Sequence, residues 1–467
     1  MKPSACPSVH ARSRQGFVLI AVLILILLAS MVVVSLMFRL RAENTAGAAL
    51  AASEQGWMAA MSGIEEVMRT IVSAAPGTTA WQEDPRRFRD RWVADDGVNR
   101  WYFTVWTGVD EDALRDTRYG VSDEASRLNL NTAHTPDLTR VPGLTPALVQ
   151  ALRDFVDTDS TARSEGGETG TDALFPGTPT IAVRNGPLNT VEELLLVRGF
   201  TRSLVLGEDV NMNGRLDPNE DDGPETPPID NGDGHLDSGL SRLFTACSYD
   251  LNTDLRGRRR TNINDPKDAL PVVELPAAVT NFVTLLREHQ IRVSHAAELL
   301  EATVKVKDQR GVEVDMPSGV GKAELSVVLD YFTATNLAQL KGLINVNTAS
   351  SQVLATIPEI DPPLAEAIVS ARRSISPERR DTLAWLYQED VVDAVRFKAI
   401  APRLTTRGLQ YSFNVVGFGV PSGHYRVFQV IVDLGGGRPR VAYLRDLTRL
   451  GQPFPFDTVQ SKEATGG

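Results

Sequence analysis

The sequence predicts an α+β fold: one long N-terminal helix, an antiparallel β-sheet assembled from two distant stretches of chain, and a large α-helical insertion between them. Three observations carry this. Phe17 to Phe38 is 22 residues without a charge, β-rich blocks lie near residue 100 and again after residue 409, and the region between them repeats a helix-forming frame. At 467 residues, 42% hydrophobic and 23% charged, the chain has material for two to four domains. This composition excludes collagen-like, disulfide-rich and wholly disordered classes. Two cysteines, Cys6 and Cys247, are too few for a disulfide framework or a zinc knuckle. The net charge of −11 speaks against a nucleic-acid binder, which would present a basic face to phosphate.

The apolar run justifies the first element. A 22-residue helix rises about 33 Å, enough to cross the hydrocarbon core of a bilayer. Lys2, Arg12 and Arg14 precede it with no acid among the first 16 residues, which favours a cytoplasmic N-terminus. A cleaved secretory signal would carry a shorter apolar region. Here the run passes into a helix-favouring segment that continues to about Ser73, where Ala75-Pro76-Gly77 breaks it. Arg100–Val109 has the aromatic and β-branched density of a strand, and Gln410–Gly419, His424–Leu434 and Arg438–Leu447 read as an antiparallel meander with Gly/Pro/Ser turns.

The helical region carries one duplication. Leu128-Asn129-Leu130-Asn131-Thr132-Ala133 and Ile344-Asn345-Val346-Asn347-Thr348-Ala349 are each followed by a short helix, a Pro-led hairpin and a second helix, with Asn and Thr suited to turns and N-caps. These two units resemble the helix-hairpin-helix motif, which grips DNA phosphates through a Gly-x-Gly hairpin. Pro142-Gly143-Leu144-Thr145 has one glycine, and Pro358-Glu359-Ile360-Asp361 has none and two acids, which would repel phosphate. Both are therefore read as structural, with no nucleic acid as partner. A membrane-anchored DNA receptor is the rival function.

Arg14-Gln15-Gly16-Phe17-Val18-Leu19-Ile20 resembles a prepilin peptidase site of type IV pilin-like proteins. The resemblance implies cleavage between Gly16 and Phe17 and methylation of Phe17. The fifth mature residue is Ala21 where filament subunits carry Glu, which points to a subunit at the leading end, with no neighbour ahead to neutralise a buried carboxylate. Further landmarks follow in order: Asp123–Asn131, Asp154–Asp159, Asn185-Gly186-Pro187-Leu188, Phe244–Asn252, Arg258–Asn264 and Ile344–Ala349. Together they resemble the minor pseudopilin K family of type II secretion systems.

That resemblance implies a pilin-like sheet with a helical insertion. Its boundaries would be a leader over 1–16, the transmembrane and pilin helix over 17–75, the first sheet part over 76–122, the insertion over 123–400, the closing β meander over 401–456 and a disordered tail over 457–467. It implies a single-pass protein of the bacterial inner membrane with a periplasmic head. Its partners would be minor pseudopilins I and J, the major pseudopilin, prepilin peptidase and the inner-membrane secretion platform. Its role would be to initiate and cap the pseudopilus that exports folded proteins; the tip of a type IV pilus is the variant reading.

Residues 208–240 carry ten acids and one base, Arg215. Asp209, Asn211, Asn213, Asp217 and Glu220 occupy positions 1, 3, 5, 9 and 12 of a calcium loop of EF-hand type, with Gly214 at the sharp turn and Arg215 offering its carbonyl. Pro224, Pro227 and Pro228 follow closely, so a loop without full flanking helices is expected. A second, degenerate stretch offers Asp230, Asp233 and Asp237, with Ile229 and Leu240 at its ends. The expected cofactor is structural calcium. Six scattered histidines show no metal-ligand spacing and no nucleophile, Walker or dinucleotide motif occurs, so a non-enzyme is expected. Asp157 and Asp159 read as a helix-ending loop, and Arg258–Arg260 as a solvated surface turn.

Overall fold

The computed structural model describes residues 15–108, 117–164, 183–273, 275–307 and 313–456, with side chains from Val18 onward. Residues 1–14 of the leader and the tail at 457–467 lie outside the described residues. Helix α1 (Gln15–Val72) is 58 residues long, about 87 Å at 1.5 Å per residue. It is the one helix among the described residues long and apolar enough to cross a membrane, and its most apolar window touches nothing else in the chain. Its second half is different. Gly56, Ala60, Ile64, Val67 and Ile71 recur at helical spacing and are buried.

That stripe packs on one face of a seven-stranded antiparallel sheet. Its strands are β1 (Arg91–Asp95), β2 (Arg100–Gly108), β3 (Thr117–Arg118), β4 (Ser122–Asp123), β5 (Gln410–Val420), β6 (Tyr425–Asp433) and β7 (Arg440–Asp446). The spatial order is β1-β2-β5-β6-β7, with β3 on β2 and β4 on β5, so strands about 300 residues apart in sequence are neighbours. Val415 faces Val105 on one side and Phe428 on the other. Strand β2 is buried on both faces: Phe103 and Val105 lie under α1, while Tyr102 and Trp106 join a second cluster with Phe418, Val427 and Phe456. This explains its unbroken aromatic run. Strand β1 was not foreseen from the sequence. It is a half-exposed edge whose Trp92 points to solvent.

The chain leaves the sheet after β4 and returns at β5, so the insertion is one excursion. Among the described residues it holds a single hydrophobic core running from Leu128 to Leu404. Helices α2 (Pro146–Val156), α3 (Ala277–Glu288) and α4 (Pro362–Ser374) each supply one amphipathic face to it.

The duplicated frame occurs three times. Leu128-Asn129 pairs in parallel with Phe244-Thr245, Thr261-Asn262 with Phe332-Thr333, and Ile344-Asn345 with Leu404-Thr405. In each copy the first Asn side chain accepts the N–H of the second, at 2.9–3.0 Å. The second Asn then staples two distant carbonyls: Asn131 reaches Leu188 and Ala246, Asn264 reaches Val293 and Ala334, and Asn347 reaches Arg380 and Thr406. An arginine from the following helix caps carbonyls at the motif: Arg153 on Ala133, Arg287 on Asn262 and Ile263, and Arg372 on Val346 and Ala349. These asparagines therefore make long-range ties as well as the expected local turns. The middle copy lacks the Thr-Ala and the Pro-led hairpin, which hides it in the sequence.

Arg258 and Arg259 are exposed, as a surface turn requires, while Arg260 turns inward. Arg258 pairs with Asp254 at 2.8 Å, Arg259 with Asp268, and half-buried Arg260 donates to Asp330 O at 3.0 Å. Asp157 closes α2 beside Arg163, which also meets buried Asp154, and Asp159 accepts Thr161 N–H at 2.8 Å. Both lie in the bend that ends α2, the helix-ending loop read from the sequence.

Candidate metal centre

The acidic loop lies between the five-residue helix Arg202–Leu206 and the short 3-10 turn Pro218–Glu220, so it has no full flanking helices. Its first ligand position is folded inward. Asp209 is half-buried, and its two carboxylate oxygens accept the N–H groups of Asn213 at 2.9 Å and Gly214 at 3.0 Å. Gly214 has φ +67°, and Met212 is also in the left-handed region at +55°, so the backbone wraps around a centre. Asn211 accepts Asn213 N–H, and Asn213 accepts Arg215 N–H, which turns both amides toward the loop interior. Asp217 Oδ2 receives both amide groups, at 2.7 Å each.

Glu220 closes the loop. It is 1% exposed; Oε2 accepts Asp217 N–H at 3.1 Å, while the buried Oε1 has no hydrogen-bond partner. Burial pushes the Glu220 carboxyl up to about 7, and the nearby Asp209 and Asp217 charges push the same way. Burial likewise raises Asp209 to about 6, with Asp217 adding repulsion. Buried Glu220 thus lies near two half-buried carboxylates, Asp209 and Asp217, whose charges raise it further.

Among the described residues no three His, Cys, Asp or Glu side chains converge as a metal cage. The loop's donor set is mixed instead: carboxylates, two amide oxygens and a backbone carbonyl, which suits a hard oxygen-seeking cation such as calcium. The residues present fit that ion. The orphaned Glu220 oxygen is the feature a cation would satisfy.

The second stretch is arranged otherwise. Asp230 accepts the N–H groups of Gly223 and Gly232 at 2.8 Å each, exposed Asp233 accepts His235 N–H, and exposed Asp237 accepts Gly239 N–H while its own N–H meets Glu208. Neither Ile229 nor Leu240 offers a side-chain oxygen, and no buried oxygen of this stretch lacks a partner. Gly16 and Phe17 fall within the backbone of α1, their side chains outside the described residues. Of the two hairpins, Thr145 and Asp361 both serve as N-caps, accepting Leu148 N–H at 3.3 Å and Leu364 N–H at 2.9 Å. The acid that would repel phosphate thus has a structural use.

One structural joint was missed by sequence reasoning. Asp123, 1% exposed at the end of β4, accepts hydrogen bonds from Ala125 N–H, Asn345 Nδ2 and Thr348 Oγ1 at 2.9, 2.7 and 2.8 Å. It fastens the sheet to the third repeat unit. The only signal was its place at the head of the Asp123–Asn131 landmark.

Residues 126–206 match the family model described as type II secretion system (T2SS), protein K. Among curated proteins none matches the chain. A crystal structure of the GspK-GspI-GspJ complex from the enterotoxigenic Escherichia coli type 2 secretion system is similar at 10% identity and a TM-score of 0.37, covering 87% of this chain and 99% of that one. That likeness is too distant to carry function across. The matched stretch takes in most of the first repeat unit, with α2, Asn131 and the Asn185–Leu188 landmark, so the resemblance to type II secretion system protein K that the ordered landmarks implied is borne out over residues 126–206.

Proposed function

We propose that this chain is a minor pseudopilin that sits at the tip of a type II secretion pseudopilus, in contact with minor pseudopilins I and J, and starts and caps its assembly. The observation that carries the reading is α1: its lower half emerges bare and apolar from a head whose insertion spans about 285 residues. An apolar rod with no cover of its own calls for lipid or other rods around it. A head enlarged by such an insertion would obstruct a subunit stacked above it, so the summit is the place that accommodates it. Ala21 at the fifth position after Gly16 agrees, because a subunit with nothing ahead of it has no use for a buried carboxylate. The reading includes an inner-membrane anchor, a periplasmic head and a structural, non-catalytic role.

The test is to purify the full chain from cells with active prepilin peptidase. The expected product starts at Phe17 and brings down two smaller pilin-like proteins in defined ratio. A chain that keeps its first sixteen residues, or that polymerises evenly by itself, refutes the reading. Salt-sensitive duplex binding near micromolar would move the assignment to the DNA receptor.

The Asp209–Glu220 loop is proposed to hold one calcium ion through Asp209, Asn211, Asn213, the Arg215 carbonyl, Asp217 and Glu220. An ion on Asp230, Asp233 and Asp237 would be the weaker one, since those carboxylates already have backbone partners. Glu220→Gln is expected to lower calcium affinity by at least tenfold, read by titration calorimetry. Equal affinity in the variant would remove Glu220 from the site.

A further inference from the structure

The tip of the acidic loop does not end in solvent. Trp106 Nε1, on the sheet face away from α1, donates to Asn213 O at 2.7 Å, and Asn414 Nδ2 donates to Met212 O at 3.1 Å. Gly214 lies against Gly108 of β2, backbone on backbone: a Cβ at 214 would come within 3.0 Å of Gly108 Cα. The insertion therefore touches the outer face of the sheet through this loop.

The same loop grips the last described segment of the chain. Residues 451–456 cross that outer face as a strap. Phe456 stacks on Phe418 with centroids 4.3 Å apart and planes at 8°, and Phe454 sits edge-on to Trp106 at 5.3 Å. Among the described residues one hydrogen bond ties the strap to the rest of the chain: Arg215 Nη1 donates to Pro453 O at 2.7 Å, with the guanidinium 5.8 Å from the Phe454 ring. Arg215 is position seven of the loop, where the backbone carbonyl faces the ion and the side chain is free to do something else.

We propose that the loop is a cation-operated latch on the C-terminal strap. With a divalent cation bound, the backbone of 212–215 is fixed, Arg215 is aimed at Pro453, and the strap covers Tyr102, Trp106 and Phe418. Without it, Asp209, Asp217 and Glu220 repel one another, the tip loosens and the strap lifts from the aromatic face. The proposal rests on the cation reading of the loop given above. It adds that occupancy is transmitted to residues more than 230 positions later in the chain, and by linkage the strap acts back on the ion to the same degree.

The experiment uses the full chain in detergent micelles, with calcium or a chelator, and reads hydrogen exchange in peptides covering 448–456 beside calorimetric calcium binding. Calcium is expected to slow exchange at Gln452, Phe454 and Phe456 at least tenfold. Arg215→Ala is expected to keep calcium binding, weakened by about the factor it loses in strap protection, and to lose the calcium-dependent slowing. Phe454→Ala, which leaves the loop intact, should do the same. Calcium binding with unchanged exchange in 448–456, or full slowing in Arg215→Ala, overturns the latch and leaves the cation reading standing. Absence of any binding heat overturns both.

Discussion

Asp123→Ala is expected to destabilise the head by about 3–5 kcal/mol, because it strands three buried donors at the junction of sheet and insertion, each costing about 1–3 kcal/mol when left unpaired. Those donors are Ala125 N–H, Asn345 Nδ2 and Thr348 Oγ1, of which Thr348 Oγ1 keeps only a long contact to Asn345 O at 3.5 Å. Gly408 marks how tight the joint is: a Cβ there would lie 2.0 Å from Asp123 Oδ1. Denaturant unfolding followed by far-UV dichroism measures the loss, and a shift under about 1 kcal/mol would show that the joint is held by packing alone.

The same residue makes stability depend on pH. Burial pushes the Asp123 carboxyl up to about 6, outweighing the hydrogen bonds that lower it. Its unfolded value is near 4, so between about pH 4 and 6 the folded state holds the proton more tightly. The contribution is fully present below about pH 4 and is lost as pH rises through about 6. A shift of about two pKa steps corresponds to about 3 kcal/mol at most. Asp209 and Glu220 are raised as well and act in the same sense. The informative quantity is therefore the difference between wild type and Asp123→Asn, which stays neutral at all pH. Wild type should lose more stability than the variant between pH 5 and 7. Parallel curves would mean that Asp123 is charged throughout.

Gly417→Ala is expected to cost about 3 kcal/mol and to loosen α1 from the sheet. A Cβ at 417 would lie 2.0 Å from Gly56 O and 2.5 Å from Ala60 N, both backbone atoms of the helix that cannot rotate away. The neighbouring change is the control. At Gly56 a Cβ would meet Gly417 O at 3.4 Å, an ordinary contact, and alanine favours the helix interior by about 0.5–1 kcal/mol. Gly56→Ala should thus be neutral or stabilising. Thermal unfolding of the two variants in micelles decides it; equal losses would show that the contact yields from either side.

Much of this was legible in the linear chain. The uncharged run of Phe17–Phe38 demands a long helix whatever the rest does, and the alternation in residues 410–447 demands strands. The calcium-loop spacing was legible because alternate side chains and one glycine are local requirements. The middle repeat was not. Its signature is Asn264, whose partners, Val293 and Ala334, lie 29 and 70 residues away, and a tie between distant segments leaves no periodic trace. The reading of Arg258–Arg260 as a surface turn holds for exposed Arg258 and Arg259 but not for Arg260, which meets the Asp330 carbonyl only through the fold.

The sequence by itself determined the apolar rod, the class of fold and the oxygen-bearing loop, because hydrophobic length, alternation and turn chemistry act between near neighbours. Only the tertiary structure decided that this loop leans on Trp106 and holds Pro453, that Asp123 locks sheet to insertion, and that Gly417 lets the rod approach the sheet. Those depend on which segments meet, and that is settled by the burial of many apolar side chains at once.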